Sequence, residues 1–251
     1  MSKERSTRRG FPPEAVRQLR RVASKNSVVD PADSKIGAVH ATSLETMDHV
    51  FKNGTFPGYS GVERPARLVY KPGDLSVYPT PAVQSGVERI KALEEGVGRL
   101  ILTPTEIKEA AIEYASDIAR RHSLLTSLSL PFSDRENHAR ATQIFGVVDG
   151  IESETRMDPA VAHFQAKGKS REQIDEAIAA ASSRKGFLVG FSSEIQSSRK
   201  VSFEPGEPGS SDIRIRPKEG TRVSAHLVVA LEPLGDAEKD FVRDRLQRKN
   251  Q

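Results

Sequence analysis

A chain of 251 residues is long enough for one large domain or two small ones, and the absence of cysteine excludes disulfides, thiolate nucleophiles and thiolate metal sites together. Its 38 Lys and Arg against 34 Asp and Glu give a formal net charge of +4, with basic residues gathered at the two ends. No apolar run approaches the roughly 20 residues that cross a bilayer, and 6% aromatics with no tryptophan argue against a base-stacking surface as the main function.

A soluble protein working in the cytoplasm is the expectation, or one delivered into a target cell if it is an effector. Residues 1–12 are too charged for a secretory signal, since no apolar stretch follows the basic one. They read as a basic tail, solvated by default and able to meet phosphates. Pro12-Pro13 then opens a short amphipathic helix over 14–25, with Val16, Leu19 and Val22 on one side.

Residues 36–61 carry the densest signal. A short apolar run over 36–39 delivers His40 near a strand end, Thr42 or Ser43 can cap the next helix, and Leu44, Met47, Val50 and Phe51 fall at helical spacing. Asn53-Gly54 stops that helix as a left-handed pair should. The pattern holds a histidine on a rigid strand beside a helix N-terminus, whose free N–H groups suit an anion.

Short strands and turns follow, with strands over 66–70 and 75–78 about the Lys71-Pro72-Gly73-Asp74 turn. The middle turns helical: helices are predicted over 82–95, 104–122, 133–149, 158–167 and 170–184, the last opened by a Ser170/Gln173 capping box. Only 99–102 reads there as strand. Strands return over 186–191, 201–203, 212–216 and 225–231, with a Gly- and Pro-rich loop from Glu204 before Asp212, and a charged helix closes from about Ala237. Two blocks of strands around helices give an α+β fold: residues 1–34 as tail and first helix, 35–85 as the first half of an α+β domain, 86–185 as a helical insertion, and 186–251 as the second half.

Strand-borne His40 followed by Ala41, Thr42 and Ser43, then a helix ending in glycine, resembles the first motif of ADP-ribosyltransferases. Ser76-Val77-Tyr78-Pro79-Thr80 resembles their second motif, a tyrosine at a strand end. Ser211-Asp212-Ile213-Arg214-Ile215 is similar to the third, an acid heading a late strand. The resemblance covers residues 36–82 and 186–232. It implies the His, Tyr, Asp or Glu class of that superfamily, with a split sheet and toxin-like members. Ala41 stands where many members have glycine, and Asp212 where glutamate is commoner.

The resemblance also implies roles. NAD is the substrate, and ADP-ribose passes to a macromolecular acceptor, protein or nucleic acid. Asp212 is the expected acid beside an oxocarbenium-like centre. His40 donates to a ribose hydroxyl, Ala41 presents its backbone to the carboxamide, and Thr42 and Ser43 steady the corner. Tyr78 stacks on the nicotinamide. The helical middle lies outside the resemblance, and recognition of the acceptor is the hypothesis for it.

Rivals stand beside these readings. Glu194 is the competing acid, Tyr70 and Tyr59 the competing tyrosines. His49 offers no ligand spacing for a metal, and none is expected; His122, His138 and His163 are expected to be exposed. No Walker loop, G-x-S-x-G or G-x-G-x-x-G is present. NAD glycohydrolysis, or a non-catalytic basic binding module of the same fold, are the alternative functions.

Overall fold

Seven residues without an exposed side chain, Ile36–Thr42, form the strand (β1) from which the fold is built. Its complete burial follows from its place: β1 lies inside a sheet covered on both faces. The computed structural model describes residues 13–25, 27–58, 73–83, 102–198, 200–205, 212–218 and 221–247. Among these are six strands and seven α-helices. The other strands are β2 (Leu75–Pro79), β3 (Phe187–Ser192), β4 (Val201–Pro205), β5 (Ile213–Pro217) and β6 (Val228–Pro233). The helices are α1 (Pro13–Ala23), α2 (Leu44–Asn53), α3 (Pro104–Ser127), α4 (Arg135–Val148), α5 (Met157–Ala166), α6 (Arg171–Ser182) and α7 (Asp236–Gln247).

The sheet runs β4-β5-β2-β1-β3-β6, and all its pairings are antiparallel. The chain is therefore mixed α+β, with a sheet built from strands before and after the helical stretch. The two junctions of β1 are unequal. Toward β3 the register runs from Ile36 opposite Ser192 to Thr42 opposite Phe187. Toward β2 it is confined to Ala38 opposite Pro79 and Val39 opposite Tyr78, reinforced by Thr80 N–H donating to Gly37 O at 3.0 Å.

Alternation along the strands sorts the core into two faces. Ala38, Phe187, Val189, Phe191, Val77, Ile213 and Ile215 face α1, α2 and α7, where Leu19, Met47, Phe51 and Val242 meet them. Val39, Ala41 and Leu188 face the first half of α3, through Ile107, Ala111 and Ala115. The second half of α3 leaves the sheet and packs with α4, α5 and α6 around Leu124, Phe145, Phe164 and Ile174. One helix is thus shared between the sheet and the helical layer.

Local signals place the helix ends. Thr103 and Glu106 close a capping box on α3, and Ser170 with Gln173 does so on α6. The strand expected over 225–231 begins later, at Val228. Ser224 Oγ accepts the His226 N–H and winds Ala225–Leu227 into a single 3₁₀ turn, so the hydroxyl captures backbone that apolar content alone assigns to a strand. The expected strand over 66–70, most of the helix over 82–95, most of the strand over 99–102 and most of the loop before Asp212 lie outside the described residues, as do the basic tail, Tyr59 and Tyr70.

Gly186 marks where β3 passes under α3. Its φ is +75°, and a Cβ there would stand 2.6 Å from both Ala115 O and Thr42 O. Gly186→Ala combines a left-handed backbone with a clash against two main chains. A loss of about 2 kcal/mol or more in urea unfolding is expected; a change below about 0.5 kcal/mol would contradict this packing.

Candidate functional site

Where β1 and β2 stop pairing, the positions just past the last pair line a cleft. Residues 40–42 of β1 and 74–76 of β2 border it, α3 closes it with Tyr114, Ile118, Arg121 and His122, and α4 adds His138. Its volume of about 340 Å³ lies at the lower end for small-molecule sites.

The His40 ring reaches across the gap, and its Nδ1 lies 2.8 Å from Ser76 O. A carbonyl only accepts, so Nδ1 carries the proton. Burial, only partly offset by that hydrogen bond, lowers the His40 pKa to about 4. The ring is neutral at pH 7, and Nε2 is left with its lone pair. Phe56 and Phe191 pack at 5.7 Å and 6.3 Å between ring centroids and hold its orientation. With its one N–H committed to the sheet, His40 has only Nε2 to offer, as a hydrogen-bond acceptor, where the sequence reading expects a donor.

Ser76 uses its second polar group in the other direction. Its Oγ donates to Asp212 Oδ2 at 2.7 Å, so one residue touches both the imidazole and the carboxylate. The register explains this. Ser76 pairs with Arg214 and Val77 with Ile213, which sets 74, 76 and 78 beside 212, 214 and 216 on one face. The alternation of charged and apolar residues over 212–216 therefore marks a polar face on an otherwise apolar sheet.

That face is not left to solvent. Arg214 is 1% exposed and lies 3.4 Å from Asp74, itself buried; Arg216 holds the same carboxylate at 2.9 Å and also meets Glu204 at 3.7 Å. The Asp74 hydrogen bond holds the Arg216 guanidinium above its ordinary pKa. A carboxylate between two guanidiniums satisfies the buried charge and fixes β2 against β5.

Of the residues singled out from sequence, His40, Ala41 and Thr42 line the cleft. Ser43 caps α2, accepting from Thr46 N at 3.3 Å, and its Oγ lies 2.7 Å from His122 Nδ1. Asp212 is not among the lining residues and reaches the cleft through Ser76. Tyr78 packs on the α3 face with Val39 and Tyr114; burial foremost, then the Tyr114 and Asp212 charges, pushes its phenol up to about 12. Glu194 is exposed beyond the opposite end of β1, where Ser193 N bonds Lys35 O. Asp212 thus adjoins a residue of the cleft wall, and Glu194 does not line the cleft.

The helical wall departs from the sequence reading. His122, His138 and His163 are half-buried, not exposed. His122 stacks on Phe132 at 4.1 Å and is lowered to about 3 by burial, then by Arg121 and His138. His163 Nε2 bonds Asn137 Oδ1 at 2.9 Å. Tyr114, Ile118, Arg121 and His122 follow one face of α3, a spacing that could have exposed the wall had the helix been known to border a cleft. No cluster of three or more metal-ligating side chains occurs among the described residues, and no helix among them is long and apolar enough to cross a membrane.

A pKa held below the unfolded value of about 6.5 makes stability fall with acid, because the unfolded chain takes up a proton that the folded ring refuses. For His40 the loss begins as pH drops below about 6.5 and is complete near 4, reaching about 3 kcal/mol. His40→Asn keeps an N–H for Ser76 O without titrating. Urea unfolding between pH 7 and 5 should show a shallower loss for this variant; parallel profiles would refute the buried neutral imidazole. In comparisons with protein-family models, curated proteins and solved structures the chain has no match.

Proposed function

We propose that the chain is an NAD-dependent ADP-ribosyltransferase of the His, Tyr, Asp type, with the split sheet of that superfamily. The observation that carries the reading is the double use of Ser76, which ties His40 and Asp212 to the place where β1 and β2 part. His40 and Asp212 lie more than a hundred positions apart in the sequence, and β2 brings both to one serine.

In this reading the C–N bond between nicotinamide and ribose breaks, and its electron pair leaves with the pyridine nitrogen, neutralising it. The anomeric carbon becomes oxocarbenium-like and is captured by the acceptor nucleophile. The Asp212 carboxylate, one hydrogen bond behind the cleft wall, stabilises that positive centre through space. The nucleophile's proton passes to Asp212 or to water. His40 Nε2 accepts from a ribose hydroxyl and orients the sugar, and the Ala41 backbone meets the carboxamide. Tyr114 borders the cleft and supplies the stacking ring, with Tyr78 packed beside it as support.

The acceptor is a macromolecule, protein or nucleic acid, and a toxin or effector role fits such an activity. Purified protein incubated with NAD should release nicotinamide, and labelled NAD should mark protein or nucleic acid in a lysate. Nicotinamide release with no label on protein or nucleic acid would mean glycohydrolysis, with water as the acceptor. Asp212→Asn should lower nicotinamide release by about a hundredfold to a thousandfold, the range for losing one electrostatic stabiliser, with little change in KM. Release unaffected by Asp212→Asn would move the acid elsewhere; no release under any condition leaves the binding-module reading.

A further inference from the structure

We propose that the α3–α4 wall of the cleft is a phosphate-binding subsite centred on Arg121, with His122 and His138 beside it. The inference deepens the transferase reading and rests on it for the cleft being the reaction site, but the phosphate chemistry follows from the wall itself. Arg121 is 7% exposed yet borders the cleft. Its Nη2 pairs with Asp117 one turn back, and Nε donates to Asp117 O at 3.3 Å. Nη1 lies 3.3 Å from Thr142 Oγ1, and 3.4 and 3.2 Å from the two ring nitrogens of His138.

A single donor nearly equidistant from both nitrogens of one imidazole cannot point along either lone pair, so that contact is a poor hydrogen bond. The guanidinium fork is thus oriented and desolvated, and its Nη1 is held by no well-directed hydrogen bond to His138. Planar paired N–H groups suit a phosphate more than any other common ligand group. His122 and His138 line the same wall, and across the cleft Thr46 lies in the first turn of α2, whose N-terminal partial charge favours an anion. Among the described residues the one carboxylate lining the cleft, Asp74, is held by Arg214 and Arg216 on the opposite wall.

Two sources share this chemistry: the pyrophosphate of a dinucleotide donor, or a phosphate of a nucleic-acid acceptor. Titration calorimetry on the full chain with inorganic pyrophosphate tests the subsite without turnover. Arg121→Gln should weaken binding about tenfold or more, the usual cost of a lost charge-assisted hydrogen bond. Asp117→Asn releases the fork from its competing carboxylate and should tighten binding severalfold, a gain that a purely structural ion pair would not produce. Because Asp117 is more exposed than Arg121, this second variant keeps the test valid if Arg121→Gln does not fold.

Competition identifies the source. If the donor supplies the phosphate, ADP-ribose displaces pyrophosphate, and a 5′-phosphorylated oligonucleotide binds no better than its dephosphorylated form. If the acceptor does, the phosphorylated oligonucleotide binds more tightly and displaces pyrophosphate. Absence of pyrophosphate binding at millimolar concentration overturns the subsite, as does binding unmoved by Arg121→Gln and by Asp117→Asn. Pyrophosphate bound in this manner by a protein that releases no nicotinamide would keep the subsite and remove the transferase reading.

Discussion

The two hydrogen bonds of Ser76 are the constraint on which the site depends. Its carbonyl fixes the tautomer of His40, and its hydroxyl holds Asp212, so a single backbone position sets an acceptor nitrogen and a carboxylate relative to each other. The first contact spans β1 and β2 just past Val39 and Tyr78, where their pairing ends, and the second follows from the pairing of β2 with β5. An antiparallel ladder satisfies its own carbonyls, whereas here an imidazole meets one of them. The opening in the sheet and the state of the histidine are therefore one feature seen from two sides.

Holding such an opening requires rigid walls. On one side β1 is anchored along β3 and covered by the first half of α3. On the other, β2 is fixed to β5 by the ladder and by Asp74 between Arg214 and Arg216. Removing both arginines would strand a buried carboxylate, so the ion cluster works as a clamp more than as a source of net stability. The third wall belongs to the helices, because α3 runs from the sheet core into the helical layer and presents Tyr114, Arg121 and His122 on the way.

Much of this was legible before the fold. The cap at Ser43, the glycine stop at Gly54 and the capping boxes at Thr103 and Ser170 are local signals, and local chemistry decides them. His40 could be picked out because a histidine inside an apolar strand needs a reason. Partnership was not legible. Ser76 reads as an ordinary strand serine until register sets it between β1 and β5, and the burial of Arg214 against Asp74 depends on that same register. The polarity of His40 depends on a carbonyl thirty-six positions away, which no spacing rule reaches. The histidines of the middle stretch looked exposed among charges because helical periodicity says which face a residue shares, not what that face meets.

The central claim, that a neutral His40 presents Nε2 to a ribose hydroxyl beside the Ser76–Asp212 pair, is tested most directly by nitrogen NMR of the histidine side chains during an NAD titration at pH 7. The account predicts that free His40 shows a protonated Nδ1 and a bare Nε2, and that NAD moves the Nε2 resonance in the direction of an accepted hydrogen bond. A protonated Nε2 in the free protein, or a His40 signal that saturating NAD leaves in place, would contradict it.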